Sequence, residues 1–201
     1  MEASGERKLL GDSRAAKSWI RDSDLPQQHK QNFTRFVDRF PSLTFTRDSD
    51  ESLARIESRD GLVLPSHIRR SRRVVAFVEP PLLALFDGYD YECNKSHSEV
   101  DIWYSLGPGE AGEEVVADFM DGAHSYVVGA WHGSDNSYLS IDTLHVEDER
   151  IFEFAGDDLA FALIEEDSVE GLIEPAFESY SSMLSRIVAL RTWEGEVLRA
   201  R

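Results

Sequence analysis

The stretch from Ser125 to Phe154, SYVVGAWHGSDNSYLSIDTLHVEDERIFEF, carries three β signals separated by two turn signals. Tyr126, Val127 and Val128 run through Gly129, Ala130 and Trp131 into Gly133-Ser134-Asp135-Asn136, residue types that tolerate left-handed or Asx-turn backbone and reverse a chain. In the next segment Tyr138 and Ser140 alternate with Leu139 and Ile141, the two-residue period of a strand with one buried face. After the polar run Glu147-Asp148-Glu149-Arg150, Ile151-Phe152-Glu153-Phe154 resumes the pattern. Three successive strands with acidic, solvated turns predict an antiparallel meander, and such an open sheet needs a helical cover. The expected class is α+β, with a mostly antiparallel central sheet.

On the N-terminal side, residues 1 to about 12 are polar and read as a frayed end. Ser13 to Arg21 can form a short helix. Pro26 opens a second, in which Phe33, Phe36, Val37 and Phe40 recur at helical spacing and require a docking surface, in the core or on a second copy of the chain. Ser42 to Thr46 reads as a short strand or linker, and Asp48 with Glu51 supplies a capping-box spacing for a helix from Glu51 to Arg59, closed by Gly61. Val74 to Val78, Leu82 to Phe86 and Asp101 to Leu106 are strand candidates, residues 89–99 read as a polar loop, and Glu113 to Met120 as a short helix. On the C-terminal side, Pro175 at a first turn and Phe177, Tyr180, Leu184 and Ile187 at helical spacing predict one long closing helix, Pro175 to Arg191, as the main cover of the sheet. Residues 1–45 form a helical extension in this reading and 46–201 the α+β domain.

Charge is divided unevenly along the chain. Residues 1–73 hold 15 Lys and Arg against 11 Asp and Glu, a balance of +4, and residues 74–201 hold 6 against 27, or −21. That field repels a phosphate backbone and favours a basic partner. Arg69, Arg70, Arg72 and Arg73 make one basic cluster, but it lacks interleaved aromatics, so the expectation is a solvated helix face or pairing with the acidic half rather than a nucleic-acid groove. No apolar run approaches the roughly 20 residues that span a bilayer, the start of the chain lacks the apolar core of a secretory signal, and Cys93 is the single cysteine. These point to a soluble protein of a reducing cytoplasm.

Chemistry-bearing constellations are sparse. His132, Asp135, Asp142 and His145 flank two strands without a zinc spacing, and Cys93 with His97 has no third partner, so no metal, cofactor or catalytic residue is assigned. No nucleophile elbow, phosphate loop or dinucleotide fingerprint occurs in the sequence. Aromatic side chains in an acidic surround fit a protein interface better. Trp103, Trp131 and Tyr138 are candidate anchors if exposed, and Asp135, Glu147, Asp148, Glu149, Glu165, Glu166 and Asp167 would form the acidic rim. Trp193 reads as a packing residue.

Four pieces in order carry a family likeness: Gly-Leu-Val-Leu-Pro at Gly61 to Pro65, GAWHGSDNSYLSID at Gly129 to Asp142, ERIFEF at Glu149 to Phe154, and IEPAFESYSSML at Ile173 to Leu184. Together they span roughly residues 48–191, and the pattern resembles the SUKH superfamily, the Smi/Knr-type domains of bacterial toxin-immunity proteins and of a fungal cell-wall regulator. The resemblance implies a non-enzymatic protein that binds and neutralises a cognate toxin of a polymorphic toxin system, here with a basic, nuclease-like domain as a fitting target. An intracellular scaffold or signalling module on the same fold is the alternative, and a hydrolase with a hidden acidic site a weaker one.

Overall fold

The structure is a computed structural model that describes residues 8–76, 83–87, 103–106, 125–131, 137–143, 145–155, 173–191 and 196–200. The chain begins with strand β1 (Lys8–Gly11), helix α1 (Ser13–Asp22), helix α2 (Gln27–Arg39) and strand β2 (Phe45–Arg47). The expected frayed start is thus ordered from Lys8: β1 pairs antiparallel with β2, Leu9 opposite Thr46, and Gly11 turns the chain into α1 at φ 100°. The strand was hidden because its side chains are exposed or half-buried, Leu9 at 70% exposure, so no apolar alternation marks it. Asp12 caps α1 by accepting from Ala15 N at 2.9 Å.

Helix α2 starts after Pro26, as expected, and its Phe33, Phe36 and Val37 are buried within the chain. They belong to the same apolar cluster as Met183, Leu184 and Ile187 near the other end of the sequence. Phe36 meets Phe40 at 5.5 Å and Phe45 edge-on at 6.1 Å between ring centres. Helix α3 (Asp50–Asp60) ends in left-handed Gly61, φ 65°, the position that favours a residue without a Cβ. Its N-cap is Ser49, whose Oγ accepts from Ser52 N at 3.1 Å, and not the Asp48/Glu51 box: Asp48 is fully buried and employed elsewhere. Helix α4 (Ser66–Val74) follows Pro65, and Ala76 forms an isolated bridge to Thr46 where a strand from Val74 was expected.

The remaining strands are β3 (Leu83–Phe86), β4 (Tyr104–Leu106), β5 (Ser125–Trp131), β6 (Ser137–Asp142), β7 (Ile151–Ala155), β8 (Ile173–Phe177), β9 (Ile187–Arg191) and β10 (Val197–Arg199). They join in one antiparallel sheet of order β10-β9-β3-β4-β5-β6-β7-β8, so the chain is α+β and the meander lies where the sequence put it. Val127 faces Ser140 and Tyr138 faces Phe154, with a register shift between Val127 and Gly129. The sheet curls: Phe86 on β3 and Phe177 on β8, with four strands between them in sheet order, touch at 5.0 Å between ring centres. Strand β6 departs from the half-buried pattern, since Tyr138, Leu139, Ser140 and Ile141 are all buried. Both faces of this central strand are covered.

The long closing helix is not formed. Its residues divide into β8, the six-residue helix α5 (Tyr180–Ser185) and β9. Pro175 lies in β8, the last strand in the sheet order, where a missing N–H costs no ladder bond on the open side. Ser179 then caps α5 by accepting from Ser182 N at 3.2 Å, and Ile187 to Leu190 has the apolar, partly β-branched make-up of a strand. Phe177, Tyr180, Leu184 and Ile187 are all buried, so the helical spacing picked out core residues that come from three elements. Among the described residues, no helix is long and apolar enough to cross a membrane.

Candidate binding surface

The turn between β6 and β7 is the best-built polar feature at the surface. Asp142 Oδ1 accepts from His145 N at 3.2 Å, and its Oδ2 lies 2.6 Å from His145 Nδ1, so the last residue of β6 fixes the start of the turn. Asp148 N donates to His145 O at 2.7 Å, closing it. Asp148 in turn takes a forked pair from Arg150, Nε to Oδ1 at 2.9 Å and Nη2 to Oδ2 at 2.7 Å, while the guanidinium stacks 5.1 Å from the Phe152 ring. The Arg150 hydrogen bonds hold the Asp148 carboxyl below its ordinary range, and the Asp142 hydrogen bond and charge hold the His145 imidazolium above its own.

The acidic triplet therefore splits into three roles. Asp148 is spent on Arg150, and Glu149 turns inward, its Oε2 3.0 Å from His29 Nε2 on α2. Glu147 points outward with no partner among the described residues, next to Val146, which is 44% exposed. The outer tip thus presents one apolar group and one free carboxylate beside Asp142, Asp148 and Glu149, whose side chains are tied down.

Beneath Glu149 lies a partly buried polar network that ties the turn to α2 and α5. His29 Nδ1 is 2.9 Å from Ser181 Oγ, Asn32 Nδ2 donates to the same oxygen at 3.3 Å, and Gln28 Nε2 donates to Asn32 Oδ1 at 3.2 Å. Ser179 Oγ is 3.1 Å from Ser181 Oγ. With His29 donating from Nε2 to the carboxylate, Nδ1 accepts the Ser181 proton, and Ser181 still accepts from Asn32, so every group is satisfied at once. A serine, a histidine and a glutamate in line are also the types of a nucleophile relay. Ser181 is fully buried among Asn32, Ser179 and His29, which leaves no room for a substrate, and the arrangement holds structure together.

His67 of α4 is buried beside this network and its Nε2 has no hydrogen-bond partner among the described residues. Burial pulls its pKa below the ordinary value, Glu149 and Asp148 oppose the fall, and Arg70 and His29 reinforce it. No sequence signal could reveal this grouping, because residues 29, 67, 149 and 181 are brought together only by the fold.

Several expected site residues have other places. Tyr138 is buried at 5% exposure, facing Ala130 and Phe154 across the ladder, and is no surface anchor. Trp131 ends β5 and its side chain falls outside the described residues, as do Asp135, Glu165, Glu166, Asp167, His132, Cys93, His97 and Trp193. Trp103 is half-buried under the Arg191 guanidinium at 4.9 Å. Among the described residues, three arginines of the cluster pair within the N-terminal part of the chain: Arg69 with Glu57 at 2.5 Å, Arg72 with Asp48 at 2.6 Å, and Arg73 with Asp50. Among the described residues, no three His, Cys, Asp or Glu side chains are placed to share a metal ion. Comparison with protein-family models, with curated proteins and with solved structures returned no match.

Proposed function

We propose that this chain is an immunity-type protein of the SUKH kind, acting in the cytoplasm, that holds a basic toxin domain through the turn from Asp142 to Arg150 and works by binding alone. The observation that carries the reading is the preformed turn: Val146 and Glu147 face solvent while Asp142, Asp148 and Glu149 are fixed by His145, Arg150 and His29. An apolar contact group inside a carboxylate rim is how interfaces divide labour, the apolar group lengthening residence and the charge raising the encounter rate. A turn held rigid before binding loses little entropy on docking. The −21 balance of residues 74–201 adds long-range attraction for a cationic partner.

The test uses the cognate toxin domain that gene neighbourhood names. Co-expression of the full chain should protect cells from that domain, and the purified pair should associate more slowly as salt rises. Glu147→Lys should slow association several-fold, whereas Val146→Asp should mainly speed dissociation. A chain that neither protects nor binds overturns the reading. Equal kinetics for wild type and both variants moves the interface away from this turn.

A further inference from the structure

A groove of about 730 Å³ runs along the outer face of α2 beside the end of α1. Its wall contains Arg21, Lys30, Arg35 and Arg39 against one carboxylate, Asp38, in a chain whose net charge is −17. The pairing within the groove decides what that means. Arg21 is matched by Asp22 at 2.9 Å, and Asp38 is matched from outside the wall by Lys17 at 2.8 Å. Lys30 is held by a backbone carbonyl, Arg21 O at 3.0 Å, and Arg39 by two, Ser185 O at 2.6 Å and Ile187 O at 3.2 Å. Carbonyls orient these side chains without cancelling their unit charges. Arg35 is exposed and has no ion-pair or hydrogen-bond partner among the described residues. Asp22, whose carboxyl is held low first by Arg21 and in part by Lys30, offsets Lys30 as well, so the uncompensated positive charges are Arg35 and Arg39, one turn apart on the same side of α2, and the residues from Gln27 to Arg39 extend over about 18 Å.

We infer that this groove is a binding site for a small, multiply charged anion of the phosphorylated-metabolite class. Its volume is that of a small-molecule site. A fork from Arg35, an ammonium from Lys30 and the unused N–H groups of Arg39 match phosphate oxygens in number and type, and Gln27, Gln31 and Thr34 add neutral polar groups. A long polyanion is disfavoured because the rest of the acidic surface repels it, while a ligand within the groove lies inside a Debye length of about 8 Å from the cations and is shielded from the more distant acidic surface. The apolar lining residue, Ile20, is itself buried at 1% exposure, so the groove offers no hydrophobic anchor of the kind a protein partner uses.

Calorimetric titration of the full chain with inorganic tripolyphosphate tests the site, with an octaglutamate peptide as the second probe. Tripolyphosphate should bind one per chain and weaken as salt is raised. Lys30→Ala and Arg35→Ala should each weaken it about tenfold, the scale of one charged hydrogen bond, while Arg199→Ala, an exposed cation on the β10 edge, leaves it unchanged. Because Arg35 has no partner, Arg35→Ala should keep the wild-type melting curve, separating lost binding from lost fold. Absence of binding at millimolar tripolyphosphate, equal weakening by Arg199→Ala, or tighter binding of octaglutamate than of tripolyphosphate each overturns the assignment.

Discussion

Replacing Arg72 with Ala should be far more damaging than replacing its neighbours in the same basic run. Arg72 is 7% exposed, and its Nε donates to Oδ2 of Asp48, which is fully buried. Asp48 also accepts from Ser52 Oγ at 2.8 Å, and its backbone N donates to Arg72 O at 2.9 Å, so the pair joins the β2–α3 connection to the end of α4. Removing one partner of a buried ion pair strands the other charge, at about 3–5 kcal/mol. For a chain of this size each kcal/mol lowers the melting temperature by about 2–4 °C, so the variant should melt about 6–20 °C lower. Arg73 pairs with Asp50 where both side chains are well exposed, 43% and 68%, and Arg73→Ala should cost less than about 1 kcal/mol. Arg69 lies between them, since Glu57, its partner, also accepts from Leu64 N at 3.0 Å. The assay is urea unfolding of the three variants followed by circular dichroism. If Arg72→Ala fails to fold, the double replacement Asp48→Leu with Arg72→Met should restore folding, because it removes both charges together. A loss below about 1 kcal/mol for Arg72→Ala, or equal losses at Arg72 and Arg73, would refute the view that burial and pairing set the roles of these arginines.

Two further outcomes follow from the core. The buried His67, its pKa lowered, binds a proton less readily in the folded chain than in the unfolded one, so its contribution to stability is complete above the unfolded pKa of about 6.5 and declines as pH falls toward the folded value; His67→Gln should flatten that part of a stability–pH profile, and an unchanged profile would exclude His67 as its source. Phe33, fully buried on α2, should cost about 3–5 kcal/mol when replaced by Ala, and a variant with the wild-type melting temperature would show that α2 does not close the core.

What could be read in advance follows from how local each cause is. The meander was legible because β5, β6 and β7 are sequential and their turns are written in adjacent residues, so no distant contact was needed to specify them. The helix from Asp50 was legible for the same reason: Gly61 must be left-handed to end it. The segment from Ile173 to Arg191 misled because its buried residues fall at helical spacing by coincidence, and what breaks the helix is an edge-strand proline together with the pairing of β9 to β3, a strand about a hundred residues earlier. A periodic pattern reports burial directly and conformation only when one element supplies all the buried positions. The polar side chains follow the same rule more strictly. Glu147, Asp148 and Glu149 are indistinguishable in sequence, yet one faces solvent, one is held by Arg150 and one by His29, more than a hundred residues away. Charge counting could place an acidic surface in this half of the chain but could not say which carboxylate is free to meet a partner, because that is decided by which cations the fold delivers to each.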